Sequence, residues 1–539
     1  MQCRVATAGY PHEGLLSFTK VAPGRLHNTV NVLEALRSQP VWRPTRPWKE
    51  WRAERDVLFS RFINEQLYPY SAFYRRVFDE HHIDPRKIRS VDDLRRLPLT
   101  TKADIAPTPD HPTRPLDLVL RPDKEAIRKH APASVGLKLM MEGLRRGRAA
   151  VEERLRLEYF PVHVTYTTGR SAMPTQFLFT SMDFERLHIV GKRLIELCGA
   201  VTGDRGLNVF PFAPHLAFWQ VFAVGQASTM LIVHTGGGKV MGSAGNIAAL
   251  QRLQPQILIG VPGYVYHMLR QAHEQRVELH NLKIIALGAE RVPPALKARL
   301  AGLCETMGAP PGVVVHGVYG FTEARHAWGE CTPPSHEMSY GYHTYPEYDI
   351  FEIVDPVSGE PVGTGERGEI VYTSLSGHGS CVLRYRTGDV AEGGVVYDPC
   401  PGCGRIVPRL SQAISRRSDV GEFKLTKIRG TLVDLNGFLP VMAEAHEVVE
   451  WQLVVKKVND DPDELDELVL YIAVGSNVDA DALKQRISSN LLNTLEIAPN
   501  RIEVLPLAQL EVNLGLDTQM KEMRIRDMRN VLKTPVGQP

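Results

Sequence analysis

The chain has 539 residues, of which 43% are hydrophobic and 23% charged, and its formal net charge is +2. This length exceeds the size at which one hydrophobic core keeps growing, so we expect at least two domains in a globular protein. The small net charge gives no reason to expect nucleic acid or an acidic membrane as a partner. Seven cysteines at irregular spacing, after an N-terminus without an apolar signal segment, indicate reduced thiols and a cytoplasmic location.

Residues 1–160 are predicted to be mainly helical. Ser90 has the pattern of a helix N-cap, and Pro98 is expected to end that short helix. Residues 106–160 begin with several prolines and continue as a basic stretch with helical spacing. We expect the arginines of this stretch to form a solvent-exposed face.

From residue 162 the pattern changes to short apolar runs that alternate with helical segments. This alternation predicts a mostly parallel sheet with right-handed crossovers. The uncharged run at residues 206–238 contains proline, glutamine and histidine, and it indicates buried core rather than a membrane span. The expected strands are 162–166, 175–180, 206–212, 256–262, 283–290 and 313–315, and the expected helices are 183–197, 244–253, 264–275 and 294–303.

The pattern becomes antiparallel after residue 330, with strand–turn–strand units at 348–375 and 382–397. The predicted fold class is therefore α/β: a large N-terminal domain with mostly parallel sheets and an antiparallel β subdomain, and a small mobile C-terminal α+β domain. The expected organisation is a large domain, 1–418, divided into a helical part (1–160), a nucleotide-binding part (161–330) and a β part (331–418), followed by a small domain, 419–539.

The segment VVVHGVYGFTEAR, residues 313–325, carries the first functional signal. Its three valines predict a buried strand, and Gly317 and Gly320 are expected to break the chain into a loop. An aromatic ring, a hydroxyl and a carboxylate stand there: Tyr319, Thr322 and Glu323. The ring can stack on a base, the hydroxyl can contact a phosphate and the carboxylate can hold Mg²⁺. A loop of this kind at a strand end is how open α/β sheets build nucleotide sites.

A second loop, TTGRSAMPT at residues 167–175, consists mainly of small and hydroxyl side chains between two strands. Small residues let backbone N–H groups approach phosphates, and hydroxyls add further donors. The candidate phosphate-binding residues are Thr167, Thr168, Gly169, Arg170 and Ser171.

Six motifs stand in one order: TTGRSAMPT (167–175), LGAE (287–290), VYGFTEA (318–324), YRTGD (385–389), RRSD (416–419) and Lys521. By this order the chain resembles the adenylate-forming superfamily, which includes the acyl-CoA synthetases. LPLTTKADI (97–105), GECTPP (329–334) and CPGCGR (400–405) are similar to segments of the phenylacetate-CoA ligase branch.

The resemblance implies an adenine pocket lined by Gly288, Ala289 and Glu290, with Tyr319 stacking on the base beside Gly320. An alternative for Glu290 is a carboxylate that answers the dipole of the following helix. The resemblance thus assigns the base to the ends of two neighbouring strands.

The resemblance also places Thr322 at the α-phosphate and Glu323 at Mg²⁺, and both would be catalytic. Asp389 would accept both ribose hydroxyls, and Arg417 would lie near the ribose and phosphate. The alternative for Asp389 is a turn residue between antiparallel strands.

Asp419 matches the hinge about which the small domain of the family turns, and Lys521 matches its catalytic lysine. The chain departs from the family in its phosphate loop, where Met173 replaces a lysine, and we expect Arg170 to supply a cation instead. Met520 stands where the family has a glycine.

Cys400 and Cys403 form a CxxC turn of the zinc-knuckle type. Cys331 and either His336 or His343 could complete four ligands, and GYH at 341–343 matches the branch's pattern better. The predicted site is therefore Cys331, His343, Cys400 and Cys403, and a closed set of four protein ligands would hold structural Zn²⁺.

The predicted function is an ATP- and Mg²⁺-dependent ligase that converts a carboxylic acid to an acyl-adenylate and then to a thioester, with coenzyme A as the thiol. Aromatic residues at Phe210, Phe212, Phe218 and Trp219 indicate an aromatic or hydrophobic acid. Two alternatives stay open: transfer to an amine, a carrier protein or another acceptor, and a non-catalytic nucleotide-binding homologue. A homodimer also stays open, whereas neither nucleic acid nor a membrane span is expected.

Overall fold

The computed structural model describes residues 45–167, 175–332, 339–416, 426–428, 431–433, 438–458, 466–475, 478–495, 497–515 and 523–528. The N-terminal part of the described chain is helical from Trp48 onward, as predicted. Helix α1 (Trp48–Arg61) continues through a π-helical segment (Phe62–Leu67) and a short turn (Tyr68–Tyr70), and α2 (Ala72–Glu80) follows.

Short turns then lead to a helical hairpin on the surface. The predicted cap at Ser90 is confirmed, because its backbone N–H donates to the Asp93 carboxylate at 3.0 Å at the start of a 3₁₀ turn. The turns are Pro85–Lys87, Val91–Arg96, Lys102–Ile105 and Arg114–Leu118, and the helices are α3 (Lys124–His130), α4 (Ala133–Arg146) and α5 (Arg148–Tyr159).

A hairpin and a six-stranded sheet form the central part. β1 (Pro161–Tyr166) pairs antiparallel with β2 (Gln176–Thr180). The sheet has the order β4-β3-β5-β6-β7-β8 and is parallel except for β8. Because β4 lies on one side of β3 and β5 on the other, the strand order reverses there, which opens a crevice at the carboxyl edge. The strands are β3 (Arg205–Asn208), β4 (Leu231–His234), β5 (Ile257–Gly260), β6 (Ile284–Gly288), β7 (Val314–Phe321) and β8 (His326–Gly329).

Helices cover this sheet, and their packing explains its apolar strands. All four residues of β5 are buried, as expected for a parallel strand with both faces covered. The helices are α6 (Ser181–Cys198), α7 (Leu216–Ser228), α8 (Gly238–Leu253), α9 (Pro262–Glu274) and α10 (Pro294–Thr306). α7 contacts β4, β7 and β8, whereas α8 contacts β3, α9 contacts β5 and α10 contacts β7.

The predicted antiparallel part follows as two sheets, of order β10-β11-β12-β15 and β13-β14-β9. Tyr372, Tyr385 and Phe351 of this part share a core with the N-terminal helices. The strands are β9 (Tyr342–His343), β10 (Asp349–Val354), β11 (Gly368–Ser374), β12 (Tyr385–Ala391), β13 (Val395–Val396), β14 (Arg409–Leu410) and β15 (Ile414–Arg416).

The C-terminal part is an α+β unit with its own core, which includes Phe438, Leu453, Leu470 and Ile487. Its sheet has the order β20-β19-β18-β21, and a separate pair, β16 and β17, precedes it. The elements are β16 (Thr426–Ile428), β17 (Thr431–Val433), α11 (Phe438–Glu444), β18 (Val448–Lys457), β19 (Asp466–Val474), α12 (Ala480–Leu495), β20 (Arg501–Val504), α13 (Leu507–Leu514) and β21 (Ile525–Asp527).

Polar contacts join the C-terminal part to helices of the central sheet. Glu511 on α13 accepts from His267 at 3.2 Å and also pairs with Arg270, both on α9. Arg299 on α10 donates to the backbone oxygen of Val448 at 3.3 Å. The C-terminal part therefore lies against the helices that precede β6 and β7.

This architecture confirms the predicted fold class of parallel and antiparallel sheets with a C-terminal α+β part. The domain boundary between residues 418 and 419 and the mobility of the small domain stay predictions, since that boundary lies outside the described residues. Strand β4 was not predicted, and the strand expected at 206–212 ends at Asn208. No helix in the described part of the chain has the length and apolar character to cross a bilayer.

Candidate nucleotide site and metal centre

The prediction that glycines break the chain after the valines is wrong, because β7 continues through Gly317 and Gly320 to Phe321. These glycines allow close packing instead. A Cβ on Gly317 would lie 2.9 Å from Oε2 of Glu330, and one on Gly320 would lie 2.9 Å from Cβ of Ala327. Both positions therefore exclude a side chain within a continuous strand.

Two hydrogen bonds join the end of β7 to β12 of the antiparallel sheet. The Tyr319 hydroxyl donates to Asp389 at 2.7 Å, and the Tyr385 hydroxyl donates to Glu323 at 2.8 Å. Tyr319 and Glu323 are four residues apart, and so are Tyr385 and Asp389. The two segments run in opposite directions, because the first residue of one pairs with the last of the other. Tyr319, Glu323 and Asp389, the predicted base, metal and ribose contacts, therefore lie along one seam between the two sheets.

The N-terminal part holds β12 in place. The backbone N–H of Thr100 donates to Arg384 and its carbonyl accepts from Arg386, both at 2.9 Å. The Tyr74 hydroxyl accepts from the backbone N–H of Leu383 at 2.6 Å. The LPLTTKADI segment and α2 thus fix the strand that carries Tyr385 and Asp389.

A buried ion pair anchors the turn that follows β7. Arg325 has a positive φ of 65° and is 1% exposed, and its guanidinium lies 2.8 Å from Asp183. Asp183 also accepts from the backbone N–H groups of Thr180 and Gly379 at 2.9 Å. Burial by itself raises the pKa of Asp183, but the charges of Arg325 and Arg186 outweigh it and lower that pKa to about 2.

This shift predicts a specific acid sensitivity. Asp183 has an ordinary pKa of 3.8 and a folded-state pKa of about 2. At pH values above the ordinary pKa, its ionised form therefore stabilises the fold by about 2 kcal/mol. That contribution is complete at neutral pH and is lost as the pH falls through about 4 towards 2. Urea unfolding as a function of pH should show this loss in the wild type and in Asp355→Asn, an exposed control. An Asp183→Asn variant that is as stable as wild type at pH 7 would contradict the assignment.

The two ends of the small-residue loop are joined at its base. The backbone N–H of Thr167 donates to the carbonyl of Thr175 at 3.0 Å, and the Thr167 hydroxyl accepts from the Thr175 N–H at 3.3 Å. Thr167 therefore closes the loop at the end of β1. Thr168, Gly169, Arg170 and Ser171 lie outside the described residues.

The LGAE segment stands at the carboxyl end of β6. Ala289 has a positive φ of 72°, and a Cβ on Gly288 would lie 3.5 Å from the ring of Phe210. Glu290 lines an open cleft, whose other wall includes Trp451 and Arg524 of the C-terminal part. This places the predicted base-binding segment next to the C-terminal part.

Three predicted residues lie outside the described part of the chain: Arg417, Asp419 and Lys521. The nearest described residues are Arg416 and Met523. Arg416 pairs in register with Asp389, and Met523 donates its backbone N–H to Leu514 at 3.0 Å.

Aromatic side chains cluster near the carboxyl edge of the sheet, as the sequence indicates. The Phe218 ring centroid lies 5.1 Å from that of Phe212 and 5.5 Å from that of Trp219. His163 on β1 lies 4.5 Å from Trp219. The cluster offers an apolar, aromatic wall.

The four predicted metal ligands converge. Their ligand atoms all lie within 4.8 Å of one another, with 3.7 Å between the sulfurs of Cys331 and Cys400 and 3.2 Å between Cys403 Sγ and His343 Nε2. A tetrahedral zinc ion with Zn–S bonds of about 2.3 Å separates its ligand atoms by about 3.8 Å, which this set can match. His336 lies outside the described residues.

The direction of its pKa shift separates Cys403 from the buried cysteines elsewhere. Hydrogen bonds from Cys331 and Cys400 hold the pKa of Cys403 well below its usual range, while the same network raises that of Cys331. Burial raises the pKa of Cys304 and Cys198 to about 12. Thiolates bind metals, so the chemistry of the cluster fits a cation.

Sequence reasoning missed a buried polar group beneath β7. Lys297 and Glu330 are 1% and 2% exposed, and Lys297 Nζ lies 2.6 Å from the Glu330 carboxylate. The same carboxylate accepts from the backbone N–H of Gly317 and from Ser339. Glu330 directly precedes Cys331, so it ties the metal-ligand segment to β7; its place in GECTPP was a signal that could have found it.

The sheet topology, the seam at β7 and the C-terminal α+β part define an adenylate-forming fold. The model of the AMP-binding enzyme family matches residues 187–377. The structure is similar to 2-hydroxyisobutyryl-CoA ligase in the postadenylation state, with a TM-score of 0.68 and 21% identity over 91% of this chain and 92% of that one. At this identity the likeness concerns the fold.

Two curated relatives are phenylacetate-coenzyme A ligases. That of Thermus thermophilus is 26% identical over 509 residues, which cover 90% of this chain and 98% of the relative. That of Aromatoleum evansii is 23% identical over 469 residues, covering 86% and 83% respectively. Residues 187–377 therefore match the AMP-binding enzyme family, and over most of its length the chain is similar to the phenylacetate-coenzyme A ligases, as its motifs indicate.

Proposed function

We propose that this chain is an AMP-forming acid–thiol ligase that activates an aromatic or hydrophobic carboxylic acid with ATP and transfers the acyl group to coenzyme A. The seam that joins Tyr319 and Glu323 to Asp389 is the observation that carries the proposal. It brings together, at the carboxyl edge of a parallel sheet, the side chains that we propose to contact the base, the metal-bound phosphate and the ribose. The phenylacetate-coenzyme A ligase relatives support the choice of acid and thiol.

In the first half-reaction a carboxylate oxygen of the acid attacks the α-phosphorus of ATP, and the bond to pyrophosphate breaks. Thr322 would donate to the α-phosphate, Asp389 would accept from the ribose hydroxyls and Lys521 would neutralise developing charge. In the second half-reaction the thiol attacks the acyl carbonyl, and AMP leaves. We infer that the small domain, 419–539, turns about Asp419 between these steps.

Glu323 fits the role of a Mg²⁺ ligand. Its carboxylate is half-buried, and the Tyr385 hydroxyl orients it at 2.8 Å. Mg²⁺ prefers carboxylate and phosphate oxygens, and when bound it would neutralise phosphate charge. Tyr385 would therefore act as a positioning residue for Glu323.

The ribose contact gives a direct test of the seam. Asp389→Ala should raise the KM for ATP by about tenfold to a hundredfold, because hydrogen bonds to a charged acceptor contribute about 1.5–3 kcal/mol. The matched control is Asp355→Ala, which removes an exposed aspartate from a turn. An unchanged KM for ATP in Asp389→Ala would contradict the ribose role.

Cys331, His343, Cys400 and Cys403 would hold structural Zn²⁺, which would link the segment after β8 to β9 and the CxxC turn. Cys400→Ser should lower bound zinc from about one ion per chain to a small fraction, with a lower melting temperature. Metal analysis and thermal unfolding measure both quantities. Cys304→Ala is the control, since Cys304 is buried away from the cluster; equal zinc in Cys400→Ser and wild type would contradict the site.

The experiment that tests the function supplies Mg-ATP, coenzyme A and a panel of arylacetic, benzoic, medium-chain and short hydroxy acids. Acid-dependent pyrophosphate release should be accompanied by an equal amount of acyl-CoA, identified by mass spectrometry. Pyrophosphate release without acyl-CoA would instead indicate an amine or carrier-protein acceptor. ATP binding with no acid-dependent release would indicate a non-catalytic homologue.

A further inference from the structure

The surface helix α4 exposes an apolar stripe that the nucleotide site does not use. The structure buries none of its side chains. Four large apolar residues recur at the spacing i, i+3, i+4 and i+7, which places them on one helical face. This Leu/Met stripe consists of Leu137, Met140, Met141 and Leu144, whose exposed fractions are 53%, 57%, 60% and 82%.

The other side of α4 rests on α5. Arg154 of α5 lies 3.0 Å from Glu142, and Val151 lies 4.0 Å from the Cβ position of Gly143. The hairpin is thus fixed by its inner face. Solvent-exposed apolar side chains on the outer face are a cost that a protein avoids unless a partner covers them.

The segment that carries the stripe has a net positive charge. Residues 124–158 contain nine lysines and arginines against five glutamates, a local net charge of +4, whereas the whole chain carries +2. Lys138 and Arg145 are exposed on α4 itself, one position from members of the stripe. This surface is therefore basic and apolar, although the net charge of the whole chain is small.

We propose that the Leu/Met stripe docks this hairpin on the surface of a membrane that contains anionic lipids. A basic amphipathic helix with its apolar face outward lies in the plane of a bilayer, with that face among the acyl chains and its cations near the headgroups. The stripe is convex, and lipids adapt to a convex surface without a preformed groove. Unbranched methionines suit such an irregular, fluid contact.

A second copy of the chain fits this surface less well. A twofold contact through α4 would bring together two copies of residues 124–158, each of net charge +4, and like charges in an interface weaken it. An anionic lipid surface instead complements that charge. The proposal concerns docking alone and does not depend on the proposed ligase activity.

The test uses the full-length chain and sedimentation with phosphatidylcholine vesicles, with or without phosphatidylserine. Wild type should bind the vesicles that contain phosphatidylserine, and less so at high salt. The triple variant Met140→Gln, Met141→Gln, Leu144→Gln should lower the partition coefficient by at least about tenfold. Lys138→Gln with Arg145→Gln should lower it severalfold and weaken its salt dependence.

The control variant is Val357→Gln, which removes an exposed apolar side chain, 91% exposed, from a turn of the antiparallel part. It should bind vesicles like wild type. All these residues are exposed, so circular dichroism and melting temperature should not change. The proposal is overturned if wild type does not bind the phosphatidylserine vesicles, or if the triple variant binds them as well as wild type. It is also overturned if sedimentation velocity shows that wild type is a dimer and the triple variant a monomer.

Discussion

Replacing Lys521 with alanine is expected to lower acid-dependent pyrophosphate release by about 100- to 1000-fold. One preorganised donor aimed at developing charge is commonly worth about 2.7–4 kcal/mol of transition-state stabilisation. Arg524, three positions after Lys521, lines the same cleft as Glu290, which is proposed to bind the base. Initial rates at saturating ATP and acid measure the effect.

The same variant separates the two half-reactions. Thioester formation from a preformed acyl-adenylate and coenzyme A should change by no more than about twofold in Lys521→Ala, because that step forms no bond at phosphorus. The control is Lys484→Ala, which removes a lysine that pairs with Asp481 at 3.1 Å elsewhere in the C-terminal part. If Lys521→Ala releases pyrophosphate as fast as wild type, the lysine has no role in adenylation.

Much of the central sheet could be predicted because its strands are short apolar runs between glycine or proline. The segment containing β5 is one example: all four of its strand residues are buried, and Pro262 starts the next helix. β4 escaped prediction although Met230–Val233 is a continuous apolar run, because this run lies inside the uncharged stretch 206–238, which as a whole indicates buried core. In the structure the residues of β4 alternate between exposed and half-buried.

The seam of the site could be predicted only in part. Tyr319, Glu323 and Asp389 were found through their motifs, but the pairing of Tyr385 with Glu323 depends on the register between two sheets. Local sequence contains no signal for such a register, since the partners are 62 residues apart. The roles of Gly317 and Gly320 likewise depend on what approaches them from other strands.

The candidate metal centre likewise combines a local sequence signal with a distant one. The CxxC turn at Cys400 is a local signal, and its Gly404 has the positive φ of 70° that such a turn favours. His343, 57 residues before Cys400, was chosen because GYH matches the branch's pattern, whereas its position in space depends on the pairing of β9 with β14, which brings it opposite Arg409. The sequence left His336 and His343 open for this reason.

Lys297 illustrates why buried charge escapes prediction, and it carries the largest expected effect on stability. A lysine on a helix is usually solvated, yet the Lys297 side chain is 1% exposed and paired with Glu330. Lys297→Met should lower the free energy of unfolding by about 3–5 kcal/mol, because the Glu330 carboxylate would stay buried without its cation. Urea unfolding followed by circular dichroism measures the loss.

A double variant tests whether the loss comes from the unpaired charge. Adding Glu330→Gln to Lys297→Met should restore part of the stability, since a neutral amide oxygen can still accept from the Gly317 N–H without needing a cation. Lys283→Met, at an exposed lysine just before β6, should stay within about 0.5 kcal/mol of wild type. If Lys297→Met is as stable as Lys283→Met, or if Glu330→Gln adds a further loss instead of a recovery, the pair does not stabilise the segment that joins the metal centre to β7.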